Sequence, residues 1–180
     1  MKRMTAVLIA LTLVFTIVMV STLAEEPAAP TFRNGIQFNM DMDQVITLEN
    51  RPRYEIESEK NRGTTEFYEL EYENVPGDEG MTADLKFLFV GNSLVAIHYD
   101  FKDNVRYEDV KAMIVRAYGE TVPFDAAKIG NGRYAVDDDG DLRDCREMIE
   151  GNGVTLILEQ EKDGDVDLTI LDPTAAYINN

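Results

Sequence analysis

The stretch NMDMDQVITLEN, residues 39–50, carries its own start and stop signals. Asp41 is a good helix N-cap, and Gln44 stands three positions later. That is the spacing of a capping box, in which each side chain accepts the other residue's free backbone N–H. Met40 before the cap and Val45 at the fourth helical position form a hydrophobic staple. Asn50 tolerates the left-handed geometry of a helix stop, and Pro52 forbids continuation. The spacing predicts a helix of about two turns with Val45 and Leu48 facing inward.

The plan returns in RYEDVKAMIVRAYGE, residues 106–120. Here Tyr107, Val110, Ile114 and Ala117 share one helical face, and Gly119 sits at the expected stop. Each helix is followed by strand patterns. In 53–59, Tyr54, Ile56 and Ser58 alternate with Glu55, Glu57 and Glu59; in 68–73, Tyr68, Leu70 and Tyr72 alternate with Glu69, Glu71 and Glu73. The short connector at 60–63 predicts an antiparallel hairpin. DLKFLFV (84–90) and SLVAIHYDF (93–101) follow around Gly91-Asn92, with Leu85, Phe87, Phe89, Val95, Ile97, Tyr99 and Phe101 expected inward. In the second half, 133–136 and 144–149 are weak strand patterns, and 144–149 could equally be a helical turn. VTLILEQ (154–160) and DVDLTIL (165–171), joined by Asp163-Gly164, form a strong hairpin signal. Aligning MDQV (42–45) with YEDV (107–110) gives an offset of 65 residues, from which the strand offsets drift. The expected fold is α+β: two pseudo-repeated units of one helix plus a mainly antiparallel strand meander, the helices packed on one sheet face.

The chain ends bound this fold. Lys2 and Arg3 precede an apolar run, and Thr22 and Ala24 sit at the −3 and −1 positions of a signal-peptidase site, so residues 1–24 read as a cleaved signal peptide. Kept uncleaved, the run Ala6–Leu23 would approach membrane-spanning length. No Cys follows it, which excludes a lipid-modified cysteine anchor. EEPAAPTFRN (25–34) reads as a linker, 35–105 as the first unit, 106–172 as the second and 173–180 as a loose tail. A hydrophobic content of 44% with 28% charged residues excludes wholesale disorder. Cys145 is the only cysteine, so an exported chain would be held by its core alone. Loss of residues 1–24 removes two basic and no acidic side chains, leaving 15 basic against 34 acidic. Such a surface repels nucleic acid and anionic lipid headgroups.

The helix start, a small residue before Met40 with Val45 following and a proline after the stop, resembles the SmpA/OmlA small outer-membrane lipoproteins. Asn39 and Asn50 stand where that family carries glycines. The tandem helix-plus-sheet layout looks like beta-lactamase inhibitory protein. Closer in pattern are secreted proteins of anaerobic Gram-positive bacteria that pair a Met-x-x-x-Val helix with a Tyr-Glu-Asp-Val…Tyr-Gly helix. The resemblance covers about a quarter of the chain at motif level, implies the fold and protein binding, and carries no catalytic residues.

The residues give little chemistry. His98, the only histidine, falls on a polar strand face with Asp100 and has no nucleophile beside it; a surface histidine is the simpler reading. Ser58 and Ser93 lack a nucleophile-elbow context. Cys145 reads as a half-buried structural thiol, and one His with one Cys makes zinc an improbable ligand. In VDDDGDLRD (136–144), Asp137, Asp139 and Asp141 invite weak calcium binding. Against it, positions 1 and 12 of the calcium loop would be Ala135 and Arg146, so an acidic solvent turn stands as the alternative. Glu55, Glu57, Glu69, Glu71 and Glu73 are expected on one face of adjacent strands, where like charges oppose stability. The face is either a solvated surface or a docking surface for a basic partner. The expectation is an exported, extracytoplasmic, non-enzymatic interaction domain at the cell envelope, without cofactor or nucleic acid and without a stable membrane anchor once the signal is removed. It would bind a protein through the exposed sheet face. The alternative is a small-ligand binder or enzyme using a groove between the two units.

Overall fold

The computed structural model describes residues 30–60, 66–77, 80–102, 105–125, 145–151, 153–161 and 164–174. The segments expected to be a signal peptide and a calcium-binding turn (Asp137, Asp139 and Asp141) lie outside the described residues, as does the weak strand pattern at 133–136.

Helix α1 spans Met42–Glu49 and forms as its sequence directs. Asp41 Oδ1 accepts the Gln44 amide at 2.8 Å, and Gln44 Oε1 accepts the Asp41 amide at 2.9 Å. Asn50 closes the helix at φ 49°, ψ 40°. Ahead of the cap, Asn39 at φ 66° turns the chain so that residues 39 and 40 exchange backbone hydrogen bonds with Leu94. Helix α2 spans Tyr107–Tyr118 and ends at Gly119, whose φ of 105° suits a residue without Cβ.

Eight strands follow from the alternating segments: β1 Glu55–Lys60, β2 Glu66–Pro76, β3 Thr82–Val90, β4 Ser93–Phe101, β5 Val122–Pro123, β6 Cys145–Gly151, β7 Val154–Gln160 and β8 Val166–Leu171. They form one sheet in the order β1-β2-β3-β4-β8-β7-β6-β5, and every pairing is antiparallel. The fold is therefore α+β. The β3–β4 turn consists of Gly91 and Asn92, and the positive φ of 63° at Gly91 alone of the two is the type II′ pattern that suits strand twist. The described part of the 144–149 segment, from Cys145 on, is strand β6, in which Met148 and Ile149 pair with Ile157 and Leu156 of β7.

Both helices lie on one face. Val45, Val110 and Ile114 are buried in a single cluster with Phe87, Ile97, Leu156 and Leu168, and Leu48 packs at its margin. Tyr107 and Lys111 tie α2 to β6 through the Glu147 carboxylate, at 3.1 and 2.7 Å. Burial works against that carboxylate's charge, yet the hydrogen bonds from Lys111 and Tyr107 hold its pKa below the ordinary value.

Four departures from the sequence reading have physical causes. The end of the expected linker is packed: Phe32 joins the core and Arg33–Gly35 forms a 3-10 turn. Glu49, rather than Leu48, is the second buried residue of α1, because Arg33 and Arg51 contact its carboxylate at 2.8 and 3.6 Å. The register of β4 shifts between Phe89↔Leu94 and Leu88↔Ala96, and the extra residue places Leu94 in the main core where Val95 was expected. Strands β7 and β8 are buried on both faces: Ile157 and Leu171 join Met148 and Ala96 in a second cluster, against which Leu88 and Phe124 pack.

Phe87 is fully buried at the centre of the main cluster. Phe87→Ala is expected to lower unfolding free energy by about 3–5 kcal/mol in urea titration, the usual result of an unfilled aromatic site.

Candidate functional site

The face of β1–β4 opposite the helices collects a set of acidic side chains by register alone. Glu55 lies directly opposite Glu71, and Glu57 opposite Glu69. Four of the five glutamates expected to share a face therefore oppose one another across it. Glu73 does not extend the array: it is exposed at a bulge where β2 slips against β3, past the end of β1. Asn74, at φ 52°, forms that bulge and donates its amide to Asp84 Oδ1 at 2.8 Å.

The same face shows how this protein handles opposed carboxylates elsewhere. Asp84 lies across from Asp100, and Lys102 Nζ reaches both at 2.8 Å. Its hydrogen bonds to Asp100 and then Asp84 raise the Lys102 pKa. For Asp84, burial opposes ionisation, but bonds from Lys102 and the Asn74 amide outweigh it and lower the pKa. The glutamate array has weaker relief. Among described side chains, Lys86 alone approaches it, at 3.6 Å from Glu69 and 3.8 Å from Glu71, beyond direct hydrogen bonding. Burial, with the charges of Glu69, Asp84 and Glu57, raises the Glu71 pKa against the opposing pull of Lys86.

His98 stands on this face beside Lys86 in the strand register. Its Nδ1 is 3.0 Å from Thr169 Oγ1 and its Nε2 is 3.7 Å from Asp167 Oδ1. Asp100, the carboxylate expected near it, is instead engaged by Lys102. Ser93 begins the same strand five residues away, roughly 17 Å at strand spacing, too far for an acid–base pair with His98. Among the described residues no group of three or more His, Cys, Asp or Glu side chains could hold a metal ion.

The opposite, helix-bearing face contains a cleft of about 460 Å³ between α2 and the sheet. Met113, Ile114, Ala117 and Tyr118 of α2 form one wall, strands β3, β4 and β8 the floor, and Arg33 with Asn34 one end. His98 and the glutamate array are not part of it. Nothing in the sequence marked this cleft, because its walls are segments distant in the chain and its residue types are those of an ordinary core.

At the Arg33 end, the Glu49 side chain is fully buried between two guanidinium groups. Its 2.8 Å approach to Arg33 Nε is a charge contact without hydrogen-bond alignment, and Tyr72 Oη nearby also lacks a hydrogen-bond partner among the described residues. Burial, followed by the Glu49 charge, pushes the Tyr72 phenol up to about 12.

No family model matches the chain, and neither a curated protein nor a solved structure does. Among the described residues no helix is long and apolar enough to cross a membrane.

Replacing Glu55 and Glu57 with Gln relieves both cross-strand pairs and leaves Lys86 its two partners. The double variant is expected to gain a few tenths of a kcal/mol per pair at pH 7, with the gain shrinking in high salt. The sign with pH follows from Glu71: its raised pKa means the folded state takes up the proton more readily than the unfolded one. The charge at Glu71 therefore opposes folding above its folded pKa, and that penalty is gone below the ordinary value of 4.5. The advantage of the variant should disappear as pH falls through that window, measured by urea titration at each pH.

Proposed function

We propose that the chain is an exported, non-enzymatic binding domain that captures a basic protein segment on the Glu55, Glu57, Glu69 and Glu71 face at the cell envelope. The observation that carries this reading is the contrast between two sets of opposed carboxylates on one sheet face. Asp84 and Asp100 are clamped by Lys102 at 2.8 Å, whereas Lys86 reaches only Glu69 and Glu71 of the four glutamates, at 3.6 and 3.8 Å. Like charges in register oppose stability, and a cationic partner would supply counter-charge beyond what the described side chains give. The array also lies on the outer strands, away from the part of the same face covered around Ile157 and Leu171. That leaves β1 and β2 as the accessible half of the sheet.

The layout of two pseudo-repeated units belongs to this proposal as well. Helix α1 precedes four strands, α2 precedes four more, and the last strand of each set meets the other at the middle of the sheet. This order supports duplication of one helix-plus-meander unit and the comparison with tandem protein-binding domains. Export is proposed from the charged and apolar leader with its Thr22-x-Ala24 ending.

The test is recovery of envelope partners on immobilised protein, identified by mass spectrometry, with the wild type and the Glu55→Gln/Glu57→Gln variant side by side. The expected result is a partner with a basic surface that the wild type retains, that salt releases, and that the equally folded variant loses. Retention of every recovered partner by the variant would leave the array as a solvated surface and overturn the proposal.

A further inference from the structure

We propose that the cleft between α2 and the sheet binds a monoanionic amphiphile of the medium-chain carboxylate class, its apolar chain against Met81, Phe101, Met113 and Leu168 and its carboxylate at Arg33. The site is on the sheet face opposite the glutamate array, so it goes beyond the protein-binding reading and does not depend on it.

Three observations carry the inference. The first is size and lining: about 460 Å³ is within the range of small-molecule sites, roughly 300–1,000 Å³, and the walls are predominantly apolar. Met81 and Met113 are unbranched and polarizable, and adapt to chains of differing length. The second is charge. The chain holds 34 acidic against 17 basic residues, yet among the described residues that line the cleft the only charged one is Arg33. The third is incomplete neutralisation at that end. Arg33 and Arg51 share the single Glu49 carboxylate, so the group retains one net positive charge. Arg33 remains partly accessible, at 21% of its side-chain surface, which allows a ligand oxygen to reach it. A carboxylate there would complete the charge balance with charge-assisted hydrogen bonds in a partly desolvated setting. A cationic amphiphile would meet Arg33 directly, and a neutral one would leave the charge unanswered.

Titration calorimetry with decanoate, decanol and decyltrimethylammonium, all below micelle-forming concentrations, tests the proposal on the intact protein from its native host. Decanoate is expected to bind one-to-one and at least about tenfold tighter than either counterpart, the scale of a charge-assisted contact. Arg33→Lys should keep most of this preference and Arg33→Gln should remove it. Because Arg33 also supports Glu49, a second variant keeps the test independent of folding. Ala117 is exposed on α2 at the rim of the cleft, and Ala117→Trp narrows the opening without touching the ion pair. That variant should retain its melting temperature and lose decanoate affinity by about tenfold or more. The Glu55→Gln/Glu57→Gln variant should bind decanoate as the wild type does, which separates failure here from failure of the protein-binding proposal. The inference is overturned by absent binding, as when a segment of the chain itself fills the cleft. Equal affinity for the three amphiphiles, or undiminished decanoate binding by a folded Ala117→Trp variant, would overturn it too.

Discussion

The pairing of β4 with β8 is the constraint on which the rest of the structure depends. Six residue pairs, from Ala96↔Leu171 to Phe101↔Val166, join strands that are far apart in sequence. The Asp172 amide extends the ladder by donating to the Val95 carbonyl at 2.9 Å. This long-range ladder makes one sheet from two local meanders and gives both helices a common floor. Without it each meander would be a four-strand sheet with one helix, too small to enclose a cluster that runs from Leu70 to Ile149. Long-range strand pairing is entropically costly to form, and here it is offset by burial of Ile97, Leu168 and Ile170 on the helix side and of Ala96 and Leu171 on the other.

The joined sheet also sorts charge. On the outer face, Lys102 acts as a strut between Asp84 and Asp100, and on the helix side Lys111 pairs with Glu147. Arg33 and Arg51 enclose the buried Glu49 carboxylate at the end of α1. Each of these cations is placed where burial would otherwise make a carboxylate costly. The glutamates of β1 and β2 are at the solvated end of the sheet, where water supplies most of the relief and where a partner could replace it.

Local signals were legible in the sequence, and signals that depend on distant segments were not. Asp41, Gln44 and Asn50 specify α1 because capping is decided within a few residues, and the ends of β4 and β7 coincide with SLVAIHYDF and VTLILEQ. The glutamate array was legible for the same reason, since a short hairpin fixes the register of β1 on β2. The bulge at Val95 breaks the two-residue period, so parity alone misplaces Leu94, and the bulge at Asn74 breaks it again beyond Glu73. Strand β5 exists through its pairing with Met148 and Glu147, and Val122-Pro123 carries no strand pattern of its own. A buried Glu49 becomes intelligible only when Arg33 is folded back beside Arg51. The double burial of β7 was open in its sequence, because Ile157 is apolar on the face where alternation called for a polar residue.

The central claim is that the β4–β8 ladder makes the two halves one cooperative structure. Native-state hydrogen exchange across a series of low denaturant concentrations, read by mass spectrometry, tests it most directly. Peptides covering 93–101 and 166–171 should exchange only through global unfolding, with the same free energy and the same denaturant dependence, while the edge strand at 55–60 opens at lower cost. Separate unfolding of the two segments, with β4 opening alongside β1–β3 while β8 stays protected with β6 and β7, would contradict the claim.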